Sequence, residues 1–89
     1  MSEALTDNAA RSRFELGASG FIDYRRVGTV LYLNHAEVPP AMSGHGVGTR
    51  LVRETLDLIR SRGERMVPVC PFIKAFVRSN PAYADLSAE

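Results

Sequence analysis

The chain has 89 residues, a formal net charge of +1, and 45% hydrophobic and 24% charged residues, which suits one small soluble domain. A nearly neutral chain lacks the clustered basic surface that nucleic-acid binding needs, and no apolar run approaches the roughly 20 residues of a membrane-spanning helix. We therefore expect neither nucleic acid nor a membrane as a partner, and we expect a monomer. The single cysteine excludes an internal disulfide and fits a reducing, cytoplasmic setting.

Alternating apolar and polar residues predict strands in the N-terminal half. Residues 1–11 are polar and alanine-rich, so we expect a flexible tail followed by one domain that covers residues 12–89. Three strands are predicted: around Phe14 and Leu16, from Phe21 to Arg26, and from Thr29 to Val38. Glycine-containing turns would join them as antiparallel hairpins. The apolar run of the third strand predicts burial on both faces and a central place in the sheet.

The C-terminal half has the pattern of a helix, a strand and a second helix. In chain order these are a helix from near Gly46 to about Arg62, a strand from Arg65 to Cys70, and a helix from Pro71 to about Arg78. Gly63 is a suitable stop for the first helix. Because that helix separates the third and fourth strands, the two strands should pair in parallel. Tyr83 and Leu86 would fold the remaining segment back onto the domain.

Three alternate glycines, Gly44, Gly46 and Gly48, stand between the third strand and the first helix. Glycine lets the backbone turn tightly and approach a ligand closely, because no Cβ is in the way. The first N–H groups of a helix have no partner within the helix and carry the positive end of its dipole. A strand, a glycine turn and a helix in this order therefore predict a phosphate site. The plainer interpretation is that the glycines only form a turn.

Four short motifs occur along the chain. They are His-x-x-Val-Pro-Pro at His35–Pro40, the Gly-x-Gly-x-Gly loop, Cys-Pro-Phe at Cys70–Phe72, and Asn-Pro-x-Tyr-x-x-Leu at Asn80–Leu86. Together they resemble the small GCN5-related N-acetyltransferase-like family, also called mini-GNATs, over about residues 13–86. The resemblance implies an α+β, minimal GNAT-like (acyl-CoA N-acyltransferase) fold. Such a fold has a mixed, mainly antiparallel sheet of about four strands with two helices, and its central parallel pair splays apart around the glycine loop.

The resemblance also implies a site for acetyl-CoA as co-substrate, with no metal. The pyrophosphate would lie on the backbone of the loop and helix start, which comprises Ser43, Gly44, His45, Gly46, Val47, Gly48 and Thr49. The main chain of Val38 would pair with the pantetheine arm in the gap between the third and fourth strands. Arg50 and Arg53 either meet the 3′-phosphate of the ligand or form a solvated helix face. We expect the side chains of Phe72 and Phe76 to lie in the core and not to form an aromatic surface for stacking.

His35 and Cys70 are the candidate catalytic residues, because each stands where a predicted strand ends. Acyl transfer to an amine needs a base for the amine and a proton donor for the departing thiolate. Histidine can act as a base near neutral pH, and a helix N-terminus stabilises the thiolate form of a preceding cysteine. Two mechanisms remain open: direct transfer with His35 as base and Cys70 as acid, or acetylation of Cys70 first, with His35 assisting both steps. The plainer interpretation is a small core cysteine and a surface histidine.

The leading functional hypothesis is an acetyl-CoA-dependent N-acetyltransferase that acts on an unidentified small-molecule or protein amine. The alternative is a non-catalytic CoA- or acyl-CoA-binding module or sensor, because we expect no counterpart in this sequence of the N-terminal helices with which larger GNAT enzymes shape the acceptor pocket. A third hypothesis is a nucleotide- or phosphopeptide-binding domain. It ranks low because Thr49-Arg50 follows Gly48 where a P-loop has lysine and then serine or threonine.

Overall fold

The computed structural model describes residues 4–40 and 46–89, which form one mixed β-sheet with two α-helices packed on it. The strands are β1 (Leu5–Asn8), β2 (Arg13–Leu16), β3 (Phe21–Val27), β4 (Val30–Glu37) and β5 (Arg65–Pro68), and the α-helices are α1 (Val47–Ser61) and α2 (Pro71–Ser79). Short 3-10 helices span Ala9–Arg11 and Pro81–Leu86.

The strands are arranged across the sheet in chain order, β1-β2-β3-β4-β5. The first four are antiparallel neighbours, whereas β4 and β5 are parallel, with α1 in the connection between them. The predicted hairpins and the predicted parallel pair are therefore confirmed. Strand β5 ends at Pro68, short of the predicted Cys70, because the amide of Val69 turns back to the carbonyl of Val67 at 3.0 Å.

The sheet has five strands, so the prediction of about four is wrong. The additional strand is β1, which lies within the segment predicted to be a flexible tail and pairs with β2 from Leu5↔Leu16 to Asn8↔Arg13. Asp7 fixes it further by accepting hydrogen bonds from the Tyr24 hydroxyl at 2.7 Å and from Arg62 at 2.9 Å. Burial and this bond to Asp7 raise the pKa of Tyr24.

Both α-helices lie on one face of the sheet. Leu31 and Leu33 of β4 are fully buried beneath them, whereas Tyr32 between them is 37% exposed on the other face. The prediction that this strand is buried on both faces is therefore wrong, because no element of the described chain covers the second face. We call that second face the open face. The core consists of the helix-side residues of the sheet and the inner stripe of α1, which includes Leu51, Val52, Thr55, Leu56 and Ile59.

The C-terminal segment folds back onto α1 and β5, as predicted. Leu86 is buried in the core, and the Tyr83 hydroxyl donates to Asp57 at 2.8 Å. Arg60 donates two hydrogen bonds to the carboxylate of Asp85, both at 2.9 Å. The amide of Ala88 donates to the carbonyl of Met66 at 2.8 Å. This segment therefore covers part of the outer edge of β5.

Candidate functional site

The sheet opens between β4 and β5. Their paired register ends at Leu33↔Pro68, and one further bond joins the two sides, from the amide of Cys70 to the carbonyl of Leu33 at 3.0 Å. Strand β4 continues to Glu37 with only β3 beside it in the described part of the chain. The edge of β4 beyond Leu33 therefore offers main-chain groups to an extended ligand, in the manner of an added strand.

A β-bulge lies in β4 at the point where the sheet opens. Asp23 of β3 pairs with His35, but the next residue, Tyr24, pairs with Leu33, so Asn34 is the extra residue. A bulge leaves one residue outside the ladder and redirects the side chains around it. Here it places His35 on the open face, beside the ring of Phe21. The sequence carries no signal for this bulge, because the bulge depends on pairing between two strands.

Two helix N-termini meet at the same edge. Helix α1 follows Gly46, whose φ of 74° lies in the left-handed region, and α2 follows Cys70. Neither helix has a side-chain hydrogen bond at its N-cap or an acidic residue in its first turn. Among the described residues, no side chain caps the first N–H groups of either helix, and the partial positive charge there favours an anion.

Gly48 brings the two N-termini close together. A Cβ at position 48 would lie 3.1 Å from Cζ of Phe72 in α2 and 3.7 Å from a methyl carbon of Val38 after β4. Glycine at this position therefore lets the first turns of both helices approach the end of β4. Phe72 is 49% exposed there, so its predicted place in the core is wrong, whereas Phe76 is buried as predicted.

A groove of about 320 Å³ runs between the helices from this point. Its walls include Thr49 and Arg53 of α1, and Phe72 and Phe76 of α2. Small-molecule sites in proteins begin at about this size. The guanidinium of Arg53 lies 6.0 Å from the ring centre of Phe76. The described walls of the groove thus combine aromatic surface with the positive charge of Arg53.

Cys70 and His35 lie on different sides of the opening. Cys70 is 6% exposed and belongs to the core on the helix face. His35 is half-exposed on the open face, where its Nε2 lies 3.2 Å from Glu37 Oε1 and its ring centre 6.2 Å from that of Phe21. The fold places both residues at the opening but does not bring them into contact. Sequence reasoning missed Glu37, although its i,i+2 spacing from His35 on a strand would have predicted a shared face.

The predicted phosphate-binding loop is described in part. Ser43, Gly44 and His45 lie outside the described residues, whereas Gly46, Val47, Gly48 and Thr49 form the N-cap and first turn of α1. Val38 lies just beyond the end of β4, against Gly48. These described residues all adjoin the opening of the sheet.

Across residues 4–40 and 46–89, no three histidine, cysteine, aspartate or glutamate side chains are grouped so that they could hold a metal ion. No helix in these ranges is both long and apolar enough to span a membrane.

Comparison with known proteins finds similarity to a family, to a curated sequence and to a solved structure. The sequence profile of a family described as GCN5-related N-acetyltransferase matches residues 10–86. Protein NATD1 from Bos taurus is 36% identical over 59 residues, which are 65% of this chain and 52% of that protein. The chain thus spans about half the length of this relative. The solution NMR structure of a GCN5-like protein from Staphylococcus aureus matches with a TM-score of 0.74 at 22% identity, over 97% of this chain and 88% of that one. At 22% identity, the likeness to this solved structure shows a shared fold alone.

Proposed function

Because the chain belongs to the GCN5-related N-acetyltransferase family, we propose that it transfers the acetyl group of acetyl-CoA to an amine. The family and the GNAT-like fold predicted from the motifs are confirmed by the profile match and by the structural likeness. The observation that carries the proposal is the opening between β4 and β5, where two helix N-termini without side-chain caps converge. Such a place suits a ligand with an extended polar arm, a diphosphate and a developing thiolate.

The ligand would enter on the helix face. In this proposal, the amides of the pantetheine arm pair with the free edge of β4 between Asn34 and Val38. The diphosphate accepts hydrogen bonds from the N–H groups that follow Gly46, and the predicted loop residues Ser43, Gly44 and His45 complete the cradle. The positive φ of Gly46 and the close packing at Gly48 support this arrangement, because they expose the first turn of α1 at the opening.

The acceptor amine would approach from the open face. There His35 takes a proton from the amine, the amine nitrogen forms a bond to the thioester carbonyl carbon, and the C–S bond breaks. The CoA thiolate leaves toward the N-terminus of α2, where Cys70 supplies its proton. Glu37, at 3.2 Å from the imidazole, would orient the ring of His35.

Burial of Cys70 favours direct transfer over an acetyl-cysteine intermediate. A nucleophilic thiol must reach the carbonyl carbon, whereas this thiol belongs to the core and is nearly enclosed. A proton donor needs only one face toward the leaving group. The acceptor class stays open between small-molecule and protein amines.

The proposal is tested by titrating the protein with acetyl-CoA in a calorimeter, with ATP as the control. We expect saturable binding of acetyl-CoA and no comparable binding of ATP. The proposal would be contradicted by the absence of binding at millimolar acetyl-CoA. Binding without CoA release across a panel of polyamines, small amines and lysine peptides would favour the alternative of an acyl-CoA-binding module.

Variants then separate the residue roles. His35→Ala and Cys70→Ala should both lower turnover while leaving acetyl-CoA affinity and the circular dichroism spectrum unchanged, and Asn8→Ala on β1 is the control. Full turnover in both variants would remove them as catalytic residues without affecting the binding proposal. Detection of an acetylated protein by mass spectrometry after rapid quenching, and its loss in Cys70→Ala, would replace direct transfer with the acetyl-cysteine route.

A further inference from the structure

We propose that the ion pair of Arg13 and Asp23 controls the charge beside His35 and thereby keeps its imidazole able to take a proton from the acceptor amine. This inference rests on the proposed function, because it concerns the base of that reaction. Arg13 and Asp23 are positioning residues in this proposal, because they act through His35 and not by contact with acetyl-CoA or the amine.

Three neighbouring strands place Arg13, Asp23 and His35 in one row across the sheet. Arg13 of β2 is the register partner of Asp23 of β3, and Asp23 is the register partner of His35 of β4. Directly opposed residues of antiparallel strands have side chains on the same face, with Cβ atoms about 5 Å apart. Asp23 is therefore the cross-strand neighbour of the proposed base.

Arg13 is held in place by two contacts on the open face. Its Nε donates to Oδ1 of Asp23 at 2.9 Å, and its guanidinium lies over the ring of Phe21, 3.8 Å from the ring centre. That ring in turn lies beside the ring of His35. The side chains of Arg13 and Asp23 are 27% and 38% exposed, so water shields their charges only in part. As a pair, the two residues present little net charge to His35.

The balance matters because His35 already has one carboxylate beside it. Besides the pair, the charged neighbours of His35 on the open face, among the described residues, are Glu37 of its own strand, Arg25 of β3 and Glu15 of β2. Glu37 contacts the imidazole but is 58% exposed, so solvent screens its charge. An unpaired carboxylate at Asp23 would add to that of Glu37 and favour the imidazolium before the amine arrives. Arg13 prevents this by neutralising Asp23.

The first test follows the titration of the His35 ring by proton NMR in the intact protein without ligand. The chain has two histidines, so His35→Ala identifies the resonance. Arg13→Gln leaves Asp23 unpaired and should raise the pH midpoint of this titration by about half a unit, whereas Asp23→Asn leaves Arg13 unpaired and should lower it by a similar amount. In the double variant the midpoint should return close to that of the wild-type protein.

The opposite signs separate an effect of charge from a loss of packing, which would not move the midpoint in opposite directions in the two single variants. Arg78→Gln is the matched control, because it removes an exposed arginine of α2 on the helix face of the sheet. It should leave the midpoint unchanged.

The second test measures acetyl transfer across the same pH range. In Arg13→Gln the pH dependence of turnover should move with the NMR midpoint, so that turnover below the midpoint falls by up to about threefold while the KM for acetyl-CoA is kept. The double variant should recover the wild-type profile.

Unchanged midpoints, or midpoints that move in the same direction in both single variants, would overturn the inference while turnover itself still supports the proposed function. A pH dependence of turnover that does not follow the midpoints would overturn it as well. If the wild-type protein releases no CoA with any amine, the proposed function falls, and this inference falls with it even where the midpoints move as expected.

Discussion

Two of the loop glycines are needed for different physical reasons, although they look equivalent in the sequence. Gly46 has a φ of 74°, and no atom of the described residues apart from its chain neighbours lies within 4 Å of where its Cβ would stand, so conformation is the reason for a glycine at this position. Gly48 has an ordinary helical conformation, but a Cβ there would meet the ring of Phe72 at 3.1 Å. Its glycine is therefore required by packing between α1 and α2.

The difference predicts that the same substitution destabilises the protein to different degrees at the two positions. Gly46→Ala should lower the free energy of unfolding by about 1–2 kcal/mol, because a Cβ strains the left-handed region, and Gly46→Asn should lower it less. Gly48→Ala should change it by less than about 1 kcal/mol, because alanine favours the helix and the half-exposed ring of Phe72 can move aside.

Urea denaturation measures both free energies of unfolding, and acetyl-CoA titration measures the consequence for the site. Gly48→Ala should weaken acetyl-CoA binding through the displaced ring in spite of its near-normal stability. Equal destabilisation by the two alanines would show that the distinction between conformation and packing is wrong.

At the scale of elements, the C-terminal segment is held on α1 by polar contacts as well as by Leu86. One of these contacts is the ion pair in which Arg60 donates two hydrogen bonds to Asp85. The hydrogen bonds from Arg60 lower the pKa of Asp85 below its ordinary value of 3.8. Because the folded state holds the carboxylate in its charged form, this pair contributes stability above pH 3.8, and the contribution is lost as pH falls through the lowered value.

Docking of this segment should therefore loosen in acid. We expect the methyl resonances of Leu86 to keep their docked chemical shifts from neutral pH down to about the ordinary aspartate pKa, and to move toward undocked values at lower pH. Asp85→Asn should show partly undocked shifts already at neutral pH and a smaller acid transition. Asp23→Asn, which alters a pair with Arg13 on the open face, is the control. A wild-type acid transition that persists unchanged in Asp85→Asn would assign it to another group.

At the scale of the whole molecule, hydrophobic periodicity predicted most of the fold. The alternation at Phe14 and Leu16 and the apolar stripe of α1 depend on neighbours within the same element, so a single sequence reveals them. Strand β1 was not predicted, because Leu5 is the only large apolar residue in this strand. The position of β1 depends on its pairing with β2 and on the hydrogen bonds to Asp7. Polar short strands carry no periodic signal.

The candidate site was predictable to a similar extent. The glycine pattern predicted where α1 begins, and the strand ends predicted which residues lie at the opening. The bulge at Asn34 and the exposure of Phe72 were not predictable, because each depends on contact between two elements that are distant in the chain. The separation of His35 and Cys70 onto two faces follows from that same bulge and from the burial of Cys70, and their catalytic roles stay a prediction.

A ligand that bridges β4, α1 and α2 should stabilise the whole domain and not only its site. Such a ligand binds the folded state alone, and at a concentration of 100 times its dissociation constant it adds about 2.7 kcal/mol to the free energy of unfolding. For a domain of this size, this corresponds to a rise in Tm of roughly 10–20 °C. Acetyl-CoA should produce this rise in a thermal melt followed by circular dichroism, with ATP at the same concentration as the control. A Tm that acetyl-CoA leaves unchanged, although calorimetry detects binding, would mean that the ligand binds the unfolded chain as well as the folded one, and would contradict a site that only the fold assembles.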